Sequence, residues 1–176
     1  MNEKEISHKQ LVEAAYKWIL KNASCGVAFK EFYSAACNGE YPDVIGFGSW
    51  GYSVLIECKT SRADFFADQK KSFRQNPILG MGSRRFYCTP TGLIKVGELP
   101  HGWGLLYVNN KLKAGTYFNP HNQEKIGGID LPNLDKNIKA EHGLMYSALR
   151  RLHLRNRIDE IYLTQEEFSQ QNPQST

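Results

Sequence analysis

The sequence predicts an α/β fold in which helices alternate with strands along the chain. Three observations support this class: an amphipathic helix pattern over residues 7–22, two apolar strands around a glycine-containing turn at residues 43–59, and a helix start at Ser61. Further strand patterns follow at residues 84–89 and 103–108. Helices and strands that alternate in a chain of 176 residues are typical of one sheet covered by helices.

The first helix is predicted from apolar residues at helical spacing. Leu11, Trp18 and Ile19 lie on one face of it, and Gly26 follows the expected end. The next segment, residues 27–32, fits either a short strand or a helical turn.

The hairpin carries charged residues where a strand normally has none. Asp43 follows Pro42, and Glu57 and Lys59 lie inside the second apolar strand. Residues two apart on a strand project from the same face, so Glu57 and Lys59 point together. A turn centred on Trp50 places Asp43 directly opposite Glu57, with Cβ atoms roughly 4.5–5.5 Å apart. Like charges at that distance are destabilising unless a cation neutralises them, so the hairpin predicts a Mg²⁺ site with a lysine beside it.

The Pro-Asp step ending at Asp43, followed by Glu57-Cys58-Lys59 on the next strand, resembles the signature of the PD-(D/E)XK nuclease superfamily. The resemblance extends from the first helix to about Val108. It implies a restriction-endonuclease-like core with a mixed central β-sheet flanked by helices. Small resolvase-like and VRR-type nucleases are the branches of similar size.

The resemblance also implies a mechanism. Asp43, Glu57 and the backbone carbonyl of Cys58 would bind Mg²⁺, or Mn²⁺ in its place, and Lys59 would support the attacking water. The implied activity is metal-dependent endonucleolytic hydrolysis of DNA, in repair, recombination or a phage or mobile-element context. A different hypothesis is a catalytically silent nuclease-fold subunit that binds nucleic acid or takes part in an assembly. The presence of all three motif residues favours the enzyme.

Two further residues complete the site that the resemblance implies. The family often places a glutamate on the first helix, for which Glu13 is the candidate and Glu31 an alternative. A polar residue on the second helix often lies near the metal, and Gln69 fits because it lies between Phe65 and Phe73 on one helix face. The simpler alternatives are a solvated surface acid at position 13 and an ordinary boundary residue at position 69.

Basic residues near this site are expected to contact phosphates. The chain carries 22 Lys and Arg against 18 Asp and Glu, a net charge of +4 that suits an anionic partner without requiring one. The second helix is predicted over residues 61–75, with a capping box from Ser61 to Asp64. The expected DNA contacts on this helix and beyond the glycine loop are Arg62, Lys70, Lys71, Arg74, Arg84 and Arg85. The alternative is that these charges are simply solvated.

The remaining sequence indicates one nuclease-like domain over residues 1–168 and a polar, disordered tail at residues 169–176. A third helix is predicted over residues 141–157, and a last strand within residues 111–118. The chain shows no signal-peptide pattern, no apolar run long enough to span a bilayer, and no Cys-x-x-Cys pair among its four cysteines. These features predict a cytoplasmic protein with reduced thiols. The resemblance to resolvase-like nucleases, which cut two strands as dimers, implies DNA as the partner and either a homodimer or a second protein that supplies specificity.

Overall fold

A computed structural model describes residues 5–34, 39–120, 125–126, 129–130 and 135–171. The helices are α1 (His8–Asn22), α2 (Arg62–Asp68), α3 (Ser72–Gln75), α4 (Ile138–Leu154) and α5 (Gln165–Gln171). The strands are β1 (Val27–Lys30), β2 (Val44–Phe47), β3 (Ser53–Cys58), β4 (Arg84–Pro90), β5 (Trp103–Val108), β6 (Ala114–Phe118), β7 (Lys125–Ile126) and β8 (Ile129–Asp130).

The first six strands form one mixed sheet in the order β1-β2-β3-β4-β5-β6. The strand pairs β1–β2, β2–β3 and β5–β6 are antiparallel, whereas β3–β4 and β4–β5 are parallel. Helix α1 packs on one face of the sheet, and α2 and α4 contribute buried residues to the other. The predicted α/β class, a mixed central sheet flanked by helices, is confirmed.

The hairpin has the predicted register. Val44 lies opposite Ile56, and Phe47 lies opposite Ser53, so the next pair beyond the ladder is Asp43 and Glu57. The turn between the strands contains a short 3₁₀ segment that ends at Gly51, whose φ of +73° lies in the left-handed region that favours glycine. The hairpin therefore places the two acids at the same edge of the sheet.

Alternation along β3 separates the two faces of the sheet. Ile56 and Cys58 belong to the apolar cluster beneath α1, whereas Leu55 packs with Phe65 on the opposite side. Glu57 shares the face of Leu55 because side chains alternate along a strand. The charged residues of the hairpin therefore lie on the face covered by α2.

Helix α1 is confirmed over its predicted length. The Ser7 hydroxyl accepts a hydrogen bond from the Gln10 backbone N–H, while the Gln10 side chain accepts one from the Ser7 N–H. This capping box satisfies two backbone donors at the helix start. The undecided segment after the helix contains strand β1.

The second helix is not continuous, which corrects the prediction of one helix over residues 61–75. Ser61 caps α2 through the Asp64 N–H at 3.2 Å, but α2 ends at Asp68, and Lys71 has extended backbone before α3. Six residues along an unbroken helix turn the side chain through about 600°, so the side chains at positions 68 and 74 would diverge by about 120°. The break instead brings the Arg74 Nε to 2.9 Å from an Asp68 carboxylate oxygen.

The C-terminal part also differs from the prediction. Helix α4 begins at Ile138, three residues earlier than expected, because Asn137 caps it by accepting from the Ala140 N–H. Leu149 in this helix is 49% exposed, although its side chain is apolar. Helix α5 continues to Gln171, so the expected disordered tail does not begin at residue 169, and residues 172–176 lie outside the described part.

Two smaller expectations concern cysteines and membranes. Cys25, Cys58 and Cys88 are buried and carry free thiols, while Cys37 lies outside the described residues. Among the described residues, no helix combines the length and apolar character needed to cross a bilayer.

Candidate active site

The structure brings Asp43, Glu57 and Lys59 together at the end of the hairpin. An Asp43 carboxylate oxygen accepts the Cys58 backbone N–H at 2.7 Å, which fixes this side chain across the two strands. The Lys59 Nζ lies 3.2 Å from Glu57 Oε2. The Glu57 and Lys59 side chains are 4% and 7% exposed, whereas that of Asp43 is 17% exposed. Solvent therefore reaches the cluster from the side of Asp43.

Asp68 at the end of α2 extends this cluster. Its Oδ1 lies 3.5 Å from the Lys59 Nζ and 2.7 Å from the Lys71 Nζ. Its Oδ2 accepts the Tyr87 hydroxyl at 2.9 Å. Asp68 is thus a second carboxylate paired with Lys59, beside Glu57.

Arg74 lies at the centre of the buried ion pairs. Its Nη2 is 2.8 Å from Glu57 Oε1, its Nε is 2.9 Å from Asp68 Oδ2, and its Nη1 bonds Glu40. A second Glu40 oxygen accepts the Met81 N–H at 2.6 Å. The guanidinium joins three carboxylates that come from three different parts of the chain.

The electrostatics of the two hairpin acids favour a bound cation. Burial raises the pKa of Glu57 to about 7, and the charges of Asp43 and Asp68 add to this rise against the opposing effect of Arg74. Burial also raises the pKa of Asp43, although the Cys58 N–H opposes the change. Burial therefore disfavours the ionised form of both carboxyl groups, and a nearby cation would favour it.

Lys59 and Asp68 behave in the opposite way. Burial alone would lower the pKa of Lys59, but the charges of Glu57, Asp68 and Asp43 raise it above its ordinary value. Burial alone would raise the pKa of Asp68, but Arg74 and Lys59 hold it well below its usual range. At neutral pH Lys59 is an ammonium paired with carboxylates, so it can donate hydrogen bonds and stabilise negative charge.

The donor set at the hairpin suits a divalent cation. Among the described residues, no group of three or more His, Cys, Asp or Glu side chains is arranged to hold a metal. Two carboxylates and one backbone carbonyl would instead supply the ligands: Asp43, Glu57 and Cys58. In an extended strand the N–H and C=O of one residue point to the same edge, so the Cys58 carbonyl faces the Asp43 side. Such oxygen ligands are the kind Mg²⁺ takes.

The charge balance of the cluster also favours a bound cation. Four carboxyl groups and three cations meet here, namely Asp43, Glu57, Asp68 and Glu40 with Lys59, Arg74 and the half-exposed Lys71. When all four acids are ionised they outnumber these Lys and Arg cations by one, so ionisation of Asp43 and Glu57 leaves negative charge that a bound cation would balance.

The first helix reaches the site through a different residue than expected. Glu13 pairs with Lys30 at the surface, so its carboxylate is engaged outside the hairpin site. His8, in the first turn of α1, places Nε2 3.3 Å from Asp43 Oδ1 and 3.6 Å from Glu31 Oε1. Glu31, the alternative to Glu13, is thus the acid nearer to the hairpin site.

Gln69 is directed away from the ion cluster. Its Nε2 donates to the backbone carbonyl of Glu98 at 3.0 Å, and it forms the C-cap of α2. The preceding residue, Asp68, takes the position expected for Gln69. It lies three residues after the buried Phe65, and this spacing is the sequence signal that could have identified it.

The six expected phosphate contacts divide by exposure. Arg74 and Arg85 are buried, which contradicts their expected role as phosphate contacts at the surface. Burial lowers the pKa of Arg85 to about 10. The Arg85 guanidinium donates hydrogen bonds to backbone carbonyls, including that of Met81 at 2.8 Å. Arg62 is exposed but paired with Glu98. Arg84 stacks on Tyr52 on the opposite face of the sheet. Lys70 and Lys71 are exposed, and the Lys71 Nζ lies 2.7 Å from the Asp68 carboxylate.

Sequence reasoning missed Asp68, Glu40, Tyr87 and His8 as members of the site. Glu40 lies three residues before Asp43, and a buried glutamate in a segment of unclear structure gives no periodic signal. Tyr87 alternates with apolar residues along β4 and has the pattern of an ordinary core aromatic.

Comparisons with known proteins support the fold and leave the activity open. No family model matches the chain, and no curated protein matches it. A solved structure that it resembles is SPO1766, a protein of unknown function from Silicibacter pomeroyi. The two are 24% identical, the match covers 88% of this chain and 94% of that one, and the TM-score is 0.53. At this identity the likeness shows a shared fold alone.

Proposed function

We propose that the protein is a metal-dependent nuclease of the PD-(D/E)XK type that hydrolyses phosphodiester bonds in DNA. The observation that carries this proposal is the hairpin geometry. Asp43 and Glu57 meet in register on adjacent strands, with Asp43 fixed by the Cys58 N–H and Lys59 paired with Glu57.

The proposed ligands of the metal are the carboxylates of Asp43 and Glu57 and the Cys58 carbonyl. A Mg²⁺ ion bound there would supply Lewis acidity for the phosphate and an activated water. Asp43 is the more exposed acid, so it presents the ligand that an entering cation would meet first. The Arg74 Nη2 lies 2.8 Å from Glu57 Oε1, and this ion pair restrains the Glu57 carboxylate.

Lys59 has the position and charge to act on the phosphate. Its ammonium lies between Glu57 and Asp68, at 3.2 and 3.5 Å, so its direction is fixed before substrate arrives. A protonated lysine can donate to a phosphoryl oxygen or to the water and stabilise the charge that develops. Lys70 and Lys71 supply positive charge at the surface beside it, which suits a DNA backbone.

Cleavage of a substrate panel tests the proposal. Plasmid, linear duplex, single strand and four-way junction are incubated with Mg²⁺, Mn²⁺ or EDTA, for the wild type, for Asp43→Asn and for Asp159→Asn as an exposed control. We expect metal-dependent cutting that Asp43→Asn abolishes and Asp159→Asn preserves. Absence of cutting under every condition, or cutting that persists in EDTA, would contradict the proposal.

A second candidate is a nuclease-fold subunit that binds DNA without turnover, alone, as a homodimer or with a partner. One observation favours it: the Lys59 Nζ lies 3.2 Å from Glu57 Oε2 and the Arg74 Nη2 lies 2.8 Å from Oε1, so two protein cations already lie within ion-pair distance of Glu57. Calorimetric titration with Mn²⁺ separates the candidates, because the silent subunit would bind DNA yet show no metal binding that depends on Glu57.

A further inference from the structure

A cavity adjoins the ion cluster on the side of the segment before Asp43. Its volume is about 390 Å³, within the range of small-molecule sites, and its lining residues are Gly39, Tyr41, Lys71, Ser72, Phe73 and Arg74. Arg74 belongs both to the wall of this cavity and to the ion cluster, through its contact of 2.8 Å with Glu57. Tyr41 is two residues before Asp43, so their Cα atoms are at most about 7 Å apart. The cavity is therefore within one nucleotide's reach of the proposed reaction centre.

The aromatic residues of the cavity are arranged for stacking. Tyr41 stacks on Tyr33 with ring centroids 5.2 Å apart and an interplanar angle of 16°. Both tyrosines remain more than half exposed, Tyr41 at 52% and Tyr33 at 60%, so solvent reaches a large part of each side chain. Large aromatics left exposed beside a polar cleft are unfavourable in water, and base stacking on such rings is a common way to bind unpaired nucleotides.

The charged residues of the cavity suit the rest of a nucleotide. The Lys71 Nζ lies 5.7 Å from the centre of the Phe73 ring, and the Arg74 guanidinium carbon lies 4.7 Å from the centre of the same ring. Lys71 is half exposed, so its ammonium can approach a phosphate while it remains near Asp68.

We propose that this cavity is a subsite for one unpaired nucleotide next to the scissile phosphate, with the base stacked on Tyr41 and a phosphate on Lys71. This inference rests on the proposed function and names its substrate class: DNA with an extruded or unpaired base at the cleavage position, in preference to continuous duplex. A base inside a continuous duplex is stacked on its neighbours and must first be extruded to enter such a cavity, which is energetically unfavourable.

Binding in EDTA tests the subsite without any cleavage. The probe is a duplex with a one-nucleotide bulge that carries 2-aminopurine, whose fluorescence is quenched by stacking, and the reference is the continuous duplex. The full-length wild type is compared with Tyr41→Ala, with Tyr41→Phe, which keeps the ring, and with Tyr162→Ala, an exposed tyrosine far along the chain. Ser72→Trp, at an exposed position in the cavity wall, fills the space by an independent route.

The wild type and Tyr41→Phe are expected to quench the probe and to bind the bulged duplex more tightly than the continuous one. Tyr41→Ala is expected to weaken binding of the bulged duplex by about 5- to 150-fold, the range for loss of one base–aromatic stack. Ser72→Trp should remove the preference, and Tyr162→Ala should preserve it.

Equal affinity for the two duplexes, or an unchanged preference in both Tyr41→Ala and Ser72→Trp, would overturn the subsite. These outcomes are independent of the proposed activity. If the protein cuts all duplexes equally well, the nuclease proposal stands and the subsite proposal fails. If it prefers the bulged duplex but cuts nothing, the subsite proposal stands and the nuclease proposal fails.

Discussion

Raising the pH of the metal-free protein from about 5 to about 7.5 is expected to lower its stability. Burial raises the pKa of Glu57 to about 7 from an ordinary value of 4.5, so between these values the folded protein holds a proton that the unfolded chain has released. A folded state that binds more protons loses stability as the pH rises. At about 1.4 kcal/mol per pKa unit the full effect is about 3 kcal/mol, of which about 2 kcal/mol falls in this pH window. Asp68, whose pKa is lowered, acts in the opposite sense at more acidic pH, where its stabilising charge is lost.

Urea unfolding in EDTA at both pH values measures this effect. Glu57→Gln removes the titrating group and should flatten the pH profile, while Glu166→Gln, an exposed glutamate in α5, should leave it unchanged. Saturating Mg²⁺ binds the ionised carboxylates of the folded state and should restore the stability lost at the higher pH. A wild-type profile identical to that of Glu57→Gln would refute the reasoning, and so would a Mg²⁺ effect equal at both pH values.

Two further predictions concern single residues of the cluster. Arg74→Ala leaves three carboxylates without their shared cation and should lower the free energy of unfolding by about 3–5 kcal/mol, measured by chemical denaturation. The control Arg157→Ala removes an exposed ion pair and should have little effect. Similar losses in both variants would contradict the buried network. Asp43→Asn keeps an oxygen for the Cys58 N–H and removes one of the opposed charges, so the metal-free protein should melt at a higher temperature while cleavage is abolished. A lower melting temperature in EDTA would count against repulsion between the hairpin acids.

The hairpin could be predicted in detail because its information is local. The strands are apolar, the turn carries glycines, and the sequence is symmetric about Trp50, so the register that joins Asp43 to Glu57 follows from the pattern of residues. The first helix could also be predicted from the sequence, because its cap and its apolar face lie within one segment of sixteen residues.

The second helix shows why the rest of the site could not be predicted from the sequence. Its residues have good helical propensity, and Arg74 at its end has the appearance of a solvated cation. Three carboxylates bind that arginine, and two of them, Glu40 and Glu57, lie far from it in sequence. Tertiary ion pairs of this kind override local propensity, so both the break after Asp68 and the burial of Arg74 escape a pattern-based prediction.

The direct test of the central claim is single-turnover cleavage of the best DNA substrate by Lys59→Ala beside Lys111→Ala, an exposed lysine in the β5–β6 turn. Metal binding to both variants is measured by calorimetry on the same preparations. We expect Lys59→Ala to bind Mn²⁺ nearly as well as the wild type and to lose most of its cleavage rate. The reason is the proposed role of this ammonium, which lies 3.2 Å from Glu57 and 3.5 Å from Asp68, on the phosphate rather than on the metal. We expect Lys111→Ala to match the wild type in both assays. A Lys59→Ala protein that cuts DNA at the wild-type rate would contradict the account.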